Sequence, residues 1–259
     1  MGERLGQHFL RRGPILSRIA EAACQKAEIP GVASDTPLVI EIGAGDGALT
    51  EFLAERAQRV VAIEVDPELT GRLMMRFATN PRVKVVSGDV LTTDLTQWGP
   101  AVVAGNLPYY ITSPVIERVL AMGKLLERAV FLIQKEVAER LTAEPGSRDY
   151  GFLTVATQLS AETKMLFKVP PGAFSPPPKV DSAVVRLTPR RRDDNSVQDP
   201  TPLLAFLGLC FRHKRKTLRN NLTPIFPARL VDDLAEAGMR AEQLTLDQFR
   251  SIYRQLAGG

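Results

Sequence analysis

The chain of 259 residues is poor in the side chains that build disulfide frameworks and metal centres. It has two cysteines, two histidines and one tryptophan. Cys24 and Cys210 are too few and too far apart in the sequence for a disulfide framework, so we interpret both as buried free thiols. His8 and His213 add no cluster with metal-ligand spacing, and we therefore predict no metal site.

Long apolar runs are also absent from the sequence. No run approaches the roughly 18 residues that a membrane-spanning helix requires, and the N-terminus shows no signal peptide. We expect a soluble cytoplasmic monomer, long enough for one large domain or for one domain with a small appendage.

Positive charge is in excess only near the C-terminus. Residues 190–259 hold 12 of the 33 lysines and arginines but 8 of the 29 acidic residues. The rest of the chain is balanced, so the net charge of +4 belongs to this part. A local excess of positive charge favours binding to a polyanion or to an anionic membrane.

Apolar runs that suit buried strands alternate with helical patterns, which is typical of an α/β fold. Right-handed crossovers then predict a doubly wound, mostly parallel sheet with helices on both faces. Two more runs follow, joined by a proline-rich loop without a helix, and they predict an antiparallel pair at the sheet edge. The predicted strands are Leu38–Ile42, Val60–Val65, Val83–Val86, Ala101–Ala104, Ala129–Ile133, Lys164–Val169 and Val180–Leu187, and the predicted helices are Leu49–Arg56, Pro67–Ala78, Pro114–Met122 and Gly151–Ser160.

A polar stretch at residues 190–196 is typical of a linker. Beyond it the pattern is helical at Thr201–Phe211, Ala228–Ala237 and Leu246–Leu256, with Gly238 suited to end the middle helix. We therefore predict two domains, 1–190 and 191–259, the second small and all-α.

The first motif runs from Glu41 to Gly47 and lies between a predicted strand and a predicted helix. Gly43, Gly45 and Gly47 let the backbone approach a ligand closely, and the following helix N-terminus favours negative charge. Glu64, at the end of the next strand, could accept hydrogen bonds from ribose hydroxyls. These features alone fit a dinucleotide such as NAD, and they also fit a tight turn that binds nothing.

Two acidic residues favour S-adenosylmethionine as the cofactor. Glu41 precedes the first glycine by two residues and suits the positive amino-acid end of that molecule. Asp89 ends the third predicted strand, where it could accept a hydrogen bond from the adenine amino group.

The second motif is Asn106-Leu107-Pro108-Tyr109, which follows a short apolar run. The Asn106 side-chain oxygen and the Leu107 carbonyl could accept both N–H bonds of an adenine amino group and turn its lone pair toward a methyl donor. Pro108 fixes φ and removes a competing donor, while Tyr109 offers a face for stacking. Catalysis would then rest on orientation and electrostatics without a strong base. A strand end with a packed tyrosine is the alternative.

Phe174 stands in the proline-rich loop and is a second candidate for stacking on the substrate base. Its proline flanks predict a stiff, exposed ring, so that a base flipped out of its strand could lie between Tyr109 and Phe174. A core phenylalanine is an equally good interpretation.

The segment from Phe211 to Arg219 carries five basic residues and no acidic one. Such a segment can neutralise phosphates and would make binding depend on salt, although many charge runs are only solvated helix faces. The predicted nucleic-acid surface comprises Arg212, Lys214, Arg215, Lys216 and Arg219, extended by Lys135, Arg140, Arg148 and Lys179.

These motifs together resemble the ribosomal RNA adenine dimethylase family, and within it the enzymes that modify small-subunit rRNA. The resemblance covers nearly the whole chain and includes residues 6–10, the glycine loop, residues 106–109, 174–182 and 215–222. The last two segments are the most specific.

The resemblance implies a Rossmann-like, S-adenosylmethionine-dependent methyltransferase with a seven-stranded sheet and a small helical C-terminal RNA-binding domain. It implies N6,N6-dimethylation of two adjacent adenosines near the 3′ end of small-subunit rRNA, with S-adenosylhomocysteine as the product. The partner would be this rRNA, or the assembling small subunit, and not a membrane. By motif position, His8, Leu10, Gly43, Gly45, Glu64, Asp89 and Asn106 would contact the cofactor, and Asn106, Leu107, Tyr109 and Phe174 would hold the adenine.

The chain departs from the family pattern at three positions. Members often have Asn at the position of His8, and many have Pro and Leu at the positions of Ala44 and Asp46. Three alternatives remain: a resistance-type methyltransferase of large-subunit RNA, a non-catalytic RNA-binding assembly factor, and an NAD oxidoreductase. The last leaves Asn106–Tyr109 and the basic segment unexplained.

Overall fold

A computed structural model describes residues 8–24, 36–190 and 201–257. Contacts within the chain divide it into two compact units. The first unit contains residues 1–138 and 162–189, and the second contains residues 139–161 and 190–259.

The first unit is built on a seven-stranded sheet. The described strands are β1 (Phe9–Leu10), β2 (Thr36–Ile42), β3 (Ala57–Glu64), β4 (Val83–Ser87), β5 (Ala101–Asn106), β6 (Leu126–Gln134), β7 (Ala161–Val169), β8 (Phe174–Ser175) and β9 (Ser182–Pro189). The large sheet has the order β4-β3-β2-β5-β6-β9-β7, and β1 pairs with β8 in a separate two-stranded sheet.

The pairing confirms the predicted mostly parallel sheet. The pairs β3–β4, β2–β3, β2–β5 and β5–β6 are parallel, and β9 runs antiparallel to β6 next to the edge strand β7. Seven predicted strands therefore form one sheet, with the last two adjacent at its edge.

Both faces of the sheet are covered. On one face, Val39, Val60, Val102 and Val130 form a buried cluster with side chains of the first two helices. The alternate residues of the same strands, such as Ile40, Val103 and Phe131, point to the opposite face and are also fully buried. The helices of this unit are α1 (Gly13–Cys24), α2 (Ala48–Ala54), α3 (Pro67–Arg76) and α4 (Thr112–Leu120), and α5 (Lys135–Leu141) crosses into the second unit.

Local sequence explains where these elements begin. The Asp66 side chain accepts hydrogen bonds from the Glu68 and Leu69 amides, and Pro67 occupies the first turn of α3, so α3 begins with a strong N-terminal cap. Gly105 lets β5 approach β2, because a Cβ there would lie 2.5 Å from the Ile42 carbonyl oxygen. This approach brings the end of β5 beside the glycine loop that follows β2.

The second unit is helical in its described part. Its helices are α6 (Phe152–Ser160), α7 (Thr201–Cys210), α8 (Leu218–Leu222), α9 (Ala228–Asp232) and α10 (Leu246–Ala257). Phe206, Leu218, Phe249 and Ile252 form its buried core. The small all-α unit at the C-terminus is thus confirmed.

The structure divides at residue 190, where the boundary was predicted, but the second unit also contains residues 139–161, which the prediction placed in the first domain. Residues 139–161 group with the C-terminal helices and not with the sheet. The reason is that Tyr150 and Val155 are buried in the helical core, and the Tyr150 hydroxyl donates to the Leu244 carbonyl at 2.7 Å. The predicted linker at 190–196 lies, apart from Arg190, outside the described residues.

Several smaller elements were not predicted or differ in extent from the prediction. The sequence interpretation missed α1 and the short β1–β8 sheet, and α9 ends at Asp232 and not near residue 237.

Cys24 and Cys210 are free, with Cys210 buried and Cys24 half-buried. Among the described helices, none has the length and apolar character needed to cross a membrane.

Candidate active site

A cavity of about 350 Å³ opens in the first unit where β2, β3 and β5 end. Parallel strands collect ligand-binding residues at this edge because their carboxyl ends lie together there. Ten of the predicted cofactor and catalytic residues line this cavity: His8, Leu10, Gly43, Gly45, Glu64, Asp89, Asn106, Leu107, Pro108 and Tyr109.

The glycine loop requires its glycines. Gly43, Gly45 and Gly47 have φ values of 68°, 60° and 84°, which belong to the left-handed region that favours glycine. At Gly47 a Cβ would also lie 2.7 Å from the Phe77 ring. The loop therefore holds a backbone conformation that brings main-chain groups to the cavity wall.

Glu64 supports the loop as well as lining the cavity. Its Oε2 accepts a hydrogen bond from the Gly45 amide at 2.8 Å, and its Oε1 accepts from the Val65 and Asp66 amides. A carboxylate has about four lone-pair positions, so these three bonds leave capacity for a ligand hydroxyl. Glu64 thus has a structural role that the sequence interpretation did not include.

Glu41 is the most unusual carboxyl group of the cavity. It is 1% exposed, and its Oε2 has no hydrogen-bond partner among the described residues. Burial raises the pKa of the Glu41 carboxyl to about 8, and the neighbouring carboxylates Glu64 and Asp46 add to this effect. A buried carboxyl oxygen without a partner is suited to receive a positively charged ligand group.

Asn106 ends β5 with its side chain at the cavity. Its Nδ2 donates to the His8 carbonyl at 2.9 Å, whereas no described residue donates to its Oδ1. Leu107 continues the strand pairing through its amide, which donates to the Leu132 carbonyl at 3.0 Å, but within the described ranges its own carbonyl accepts no bond. Asn106 Oδ1 and the Leu107 carbonyl, on adjacent residues, are therefore two acceptors without a donor among the described residues.

Tyr109 is held in place beside these acceptors. Its hydroxyl shares a hydrogen bond of 2.8 Å with Ser182, and its ring lies 5.8 Å from the His8 ring. Burial raises the pKa of the Tyr109 phenol. The next residue, Tyr110, is 64% exposed at the cavity lining and was missed by the sequence interpretation.

Phe174 does not fulfil the prediction of an exposed stacking ring. It is 6% exposed, belongs to the core cluster and does not line the cavity. The cause is its pairing in the β1–β8 sheet, where Phe174 lies opposite Leu10 and turns inward. The interpretation as a core phenylalanine is the one that the structure supports.

Residues 8–11 include β1 and lie along the edge of the cavity. We call them the strap. Phe9 packs against the glycine loop, because a Cβ on Gly45 would lie 3.1 Å from its ring. Arg11 forms an ion pair with Asp46 of the same loop. The departure at Asp46 therefore has a partner within the chain.

The basic segment forms a loop at residues 211–217 of the second unit, and only Arg219 among its basic residues lies in a helix, α8. Arg212, Lys214, Arg215 and Lys216 are all exposed. The buried Asn221 shapes this loop, since its side chain accepts from the His213 amide at 3.2 Å and donates to the Cys210 and His213 carbonyls at 3.0 and 3.3 Å.

The other predicted basic residues differ in their surroundings. Arg148 is exposed near Lys214, whose Nζ donates to the Arg148 carbonyl at 3.0 Å. Arg219 is bound to Asp232 at 2.5 and 3.2 Å through two nitrogens, so its charge is largely compensated. Arg140 is exposed in the second unit, and Lys135 (half-buried) and Lys179 (exposed) belong to the first unit.

Comparison with known proteins defines the family. A sequence model of the ribosomal RNA adenine dimethylase family matches residues 2–258. The chain belongs to that family. Curated relatives include the ribosomal RNA small subunit methyltransferase A of Acidobacterium capsulatum, which is 44% identical over 98% of this chain and 90% of the relative. The protein of the same name from Pseudomonas aeruginosa is 39% identical over 98% of this chain and 94% of the relative.

Solved structures show the same fold. A dimethyladenosine transferase from Plasmodium falciparum has a TM-score of 0.80 at 28% identity, covering 95% of this chain and 96% of that one. The 23S rRNA methyltransferase ErmE has a TM-score of 0.75 at 30% identity, covering 96% and 99%. The Rossmann-like methyltransferase fold expected from the sequence is confirmed.

Proposed function

We propose that this protein uses S-adenosylmethionine to dimethylate N6 of two adjacent adenosines in the 3′-terminal hairpin loop of small-subunit (16S) rRNA. The observation that carries the proposal is the pair of unbonded acceptors, Asn106 Oδ1 and the Leu107 carbonyl, beside Tyr109 at the cavity. An adenine amino group offers two N–H donors, and this pair of oxygens matches them. Family membership and the names of the curated relatives support the same reaction.

The cavity suits the cofactor on three counts. Glu41 Oε2 is buried without a partner, as an ammonium-binding carboxylate would be before its ligand arrives. The glycine loop admits close approach of a ligand to its backbone. Asp89 is exposed at the lining, and its Oδ1 accepts from the Leu91 amide at 2.9 Å, which leaves Oδ2 for an adenine amino group.

The residues of the chain would orient the acceptor nitrogen. The bound cofactor supplies an electrophilic methyl group on a sulfonium. Asn106 and Leu107 hold the amino hydrogens, which turns the nitrogen lone pair out of conjugation with the ring and toward the cofactor side of the cavity. Tyr109, fixed by Ser182, supports the base from one face. Orientation of this kind can supply much of a rate enhancement without a general base.

Modification of large-subunit RNA is the second candidate, since the ErmE enzyme shares the fold at 30% identity. The curated relatives named for the small subunit reach 44% identity, and they favour the first candidate. We further propose that the basic loop at residues 212–216 binds rRNA phosphates and that the assembling small subunit is the partner.

Substrate choice can be tested by giving the protein S-adenosylmethionine with undermethylated small subunits, undermethylated large subunits or naked small-subunit rRNA. Mass spectrometry of the nucleosides is expected to show N6,N6-dimethyladenosine only in small-subunit RNA. Methylation confined to the large subunit would contradict the proposal in favour of the second candidate. Binding of small subunits without any methylation would favour a non-catalytic assembly factor.

Asn106→Ala removes one of the two acceptors. We expect transfer to fall by at least about 100-fold, the size reported for losing one oriented polar group at a reacting centre, while cofactor binding is weakened but still measurable. Gln97→Ala is the matched control, because Gln97 carries an exposed amide outside the cavity. Full activity of Asn106→Ala would remove the orientation argument.

A further inference from the structure

Within the described parts of the chain, one polar contact joins the strap, residues 8–11, to the reaction centre. The His8 carbonyl accepts a hydrogen bond of 2.9 Å from Asn106 Nδ2. A primary amide has distinct ends, a donating nitrogen and an accepting oxygen. If the amide turned over, its oxygen would face the His8 carbonyl oxygen, and two acceptors would repel each other. Only one orientation of the amide is therefore compatible with the strap in this position, the one that leaves Oδ1 free.

Several contacts hold the strap where it makes this bond. Phe9 and Leu10 pair with Ser175 and Phe174, and the Arg11 amide donates to the Ala173 carbonyl at 2.9 Å. The His8 Nδ1 donates to the Pro176 carbonyl at 2.9 Å. These bonds fasten the strap to the segment at residues 173–176.

The opposite side of the strap is fastened to the glycine loop. Arg11 pairs with Asp46, and its guanidinium carbon lies 5.3 Å from the centre of the Phe9 ring. Asp46 is itself anchored, since its carbonyl accepts from Arg76 Nη1 at 2.7 Å. The Arg11–Asp46 pair is partly exposed, with 52% and 27% of the two side chains accessible, so it can open without disrupting the core.

We propose that the strap positions the Asn106 amide, and that the Arg11–Asp46 pair holds it closed over the glycine loop. This inference rests on the proposed function of Asn106. The His8 carbonyl fixes the amide nitrogen, and Oδ1 then faces the cavity as the acceptor for the adenine amino group. Arg11, Asp46 and His8 are positioning residues, which act on the reaction through Asn106.

The test uses the full chain and the variants Arg11→Ala, Asp46→Ala and Arg11→Ala/Asp46→Ala. With saturating cofactor and small subunits, we expect kcat to fall about two- to fivefold in each, as suits the loss of one partly exposed ion pair. The kcat of the double variant should not be lower than that of the less active single variant, because both changes remove the same contact. Arg72→Ala is the matched control, since Arg72 pairs with Glu68 on the surface of α3 away from the cavity, and its kcat should not change.

A second measurement reads the amide directly. In an amide-labelled sample, the side-chain NH₂ signals of Asn106, assigned by their loss in Asn106→Ala, should be sharp and slow to exchange in the wild type. They should broaden or exchange faster in Arg11→Ala and Asp46→Ala but not in Arg72→Ala. A structural role for the pair alone would lower stability without moving these signals.

The outcomes separate the inference from the proposed function. If the wild type transfers methyl groups and the pair variants keep the wild-type kcat and the wild-type amide signals, the strap does not position Asn106. If kcat falls while the amide signals stay unchanged, the strap acts on another group and the inference is also overturned. If the wild type transfers no methyl group to any RNA offered, the proposed function itself fails.

Discussion

At the scale of single residues, the chemistry of the site depends on groups that lack partners. Glu41 Oε2, Asn106 Oδ1 and the Leu107 carbonyl each accept no hydrogen bond within the part of the chain that the structure describes. Folding an unpaired polar group into an apolar wall costs free energy. A ligand that supplies the missing donors recovers this cost, and in the proposed function the cofactor and the adenine supply them.

Glu41→Gln tests the role of the buried carboxyl. The folded protein binds the Glu41 proton more tightly than the unfolded chain does, because burial raises the pKa of this carboxyl to about 8. The wild-type free energy of unfolding should therefore fall as pH rises from the ordinary carboxyl range toward 8. Glutamine has no proton to lose. The free energy of unfolding of the variant minus that of the wild type should therefore be larger at pH 8.5 than at pH 5.

Urea denaturation of both proteins at the two pH values measures this difference. Calorimetry with S-adenosylmethionine at pH 8.5 should also show weaker binding by the variant, since Glu41 is ionised there and can pair with the ammonium group, whereas glutamine is neutral. Equal pH dependence in the two proteins would contradict the assigned proton.

The residue types at the site were predictable, but their exposure was not. Motif position placed Gly43, Glu64 and Asn106 correctly at the cavity, because strand ends in a parallel sheet meet at one edge. The burial of Phe174 depends on a long-range contact, the pairing of β1 with β8, which leaves no local signal in the sequence.

At the scale of elements, the approach of β5 to β2 is the feature that unites the two motifs. Gly105→Ala would place a Cβ 2.5 Å from the Ile42 carbonyl oxygen and 3.3 Å from a Leu107 methyl carbon. Backbone must then move, so we expect the free energy of unfolding to fall by about 1–3 kcal/mol. Methyl transfer should fall as well, because Asn106 follows directly on β5.

Gly71→Ala is the matched control for this substitution. Gly71 lies within α3, and a Cβ there would meet no atom within 4 Å. Alanine in a helix should raise the free energy of unfolding by about 0.5–1 kcal/mol. Denaturation of the two variants side by side checks the prediction, and a stable, active Gly105→Ala would show that the close approach is not required.

The elements themselves were predicted in type more accurately than in extent. Seven strands were expected where seven form the sheet, because each contains a short apolar run, and the runs of the central strands β2, β5 and β6 are almost fully buried. The strands β1 and β8 were not predicted because two residues are too few to show a pattern. β1 nevertheless belongs to the strap, whose His8 carbonyl accepts the hydrogen bond from Asn106.

At the scale of the whole molecule, the charge excess of the C-terminal part becomes an exposed loop. Replacing both Arg215 and Lys216 by Ala should weaken binding of small-subunit rRNA. The negative slope of log affinity against log salt should become shallower by about 2, which is about 1 for each phosphate contact. Arg219→Ala should change both quantities less, because Asp232 already compensates that charge. Filter binding from low to moderate salt measures both, and a slope that does not change would count against a phosphate surface.

The division into two units shows where sequence interpretation ends at this scale. Composition predicted a linker at residues 190–196, but it did not predict that residues 139–161 belong to the helical unit. It depends on Tyr150 and Val155 packing against helices that follow some 50 or more residues later. Such contacts are specified by complementary side-chain shapes and not by any local period.

The central claim concerns the position of one purine ring. The most direct test is a crystal structure of this protein with S-adenosylhomocysteine and an RNA hairpin that carries the two adenosines. We predict that the target N6 lies about 2.7–3.2 Å from both Asn106 Oδ1 and the Leu107 carbonyl oxygen, with Tyr109 stacked on the base and N6 directed toward the cofactor sulfur. A flipped base whose amino group is bound elsewhere, with residues 106–109 free of it, would contradict the account.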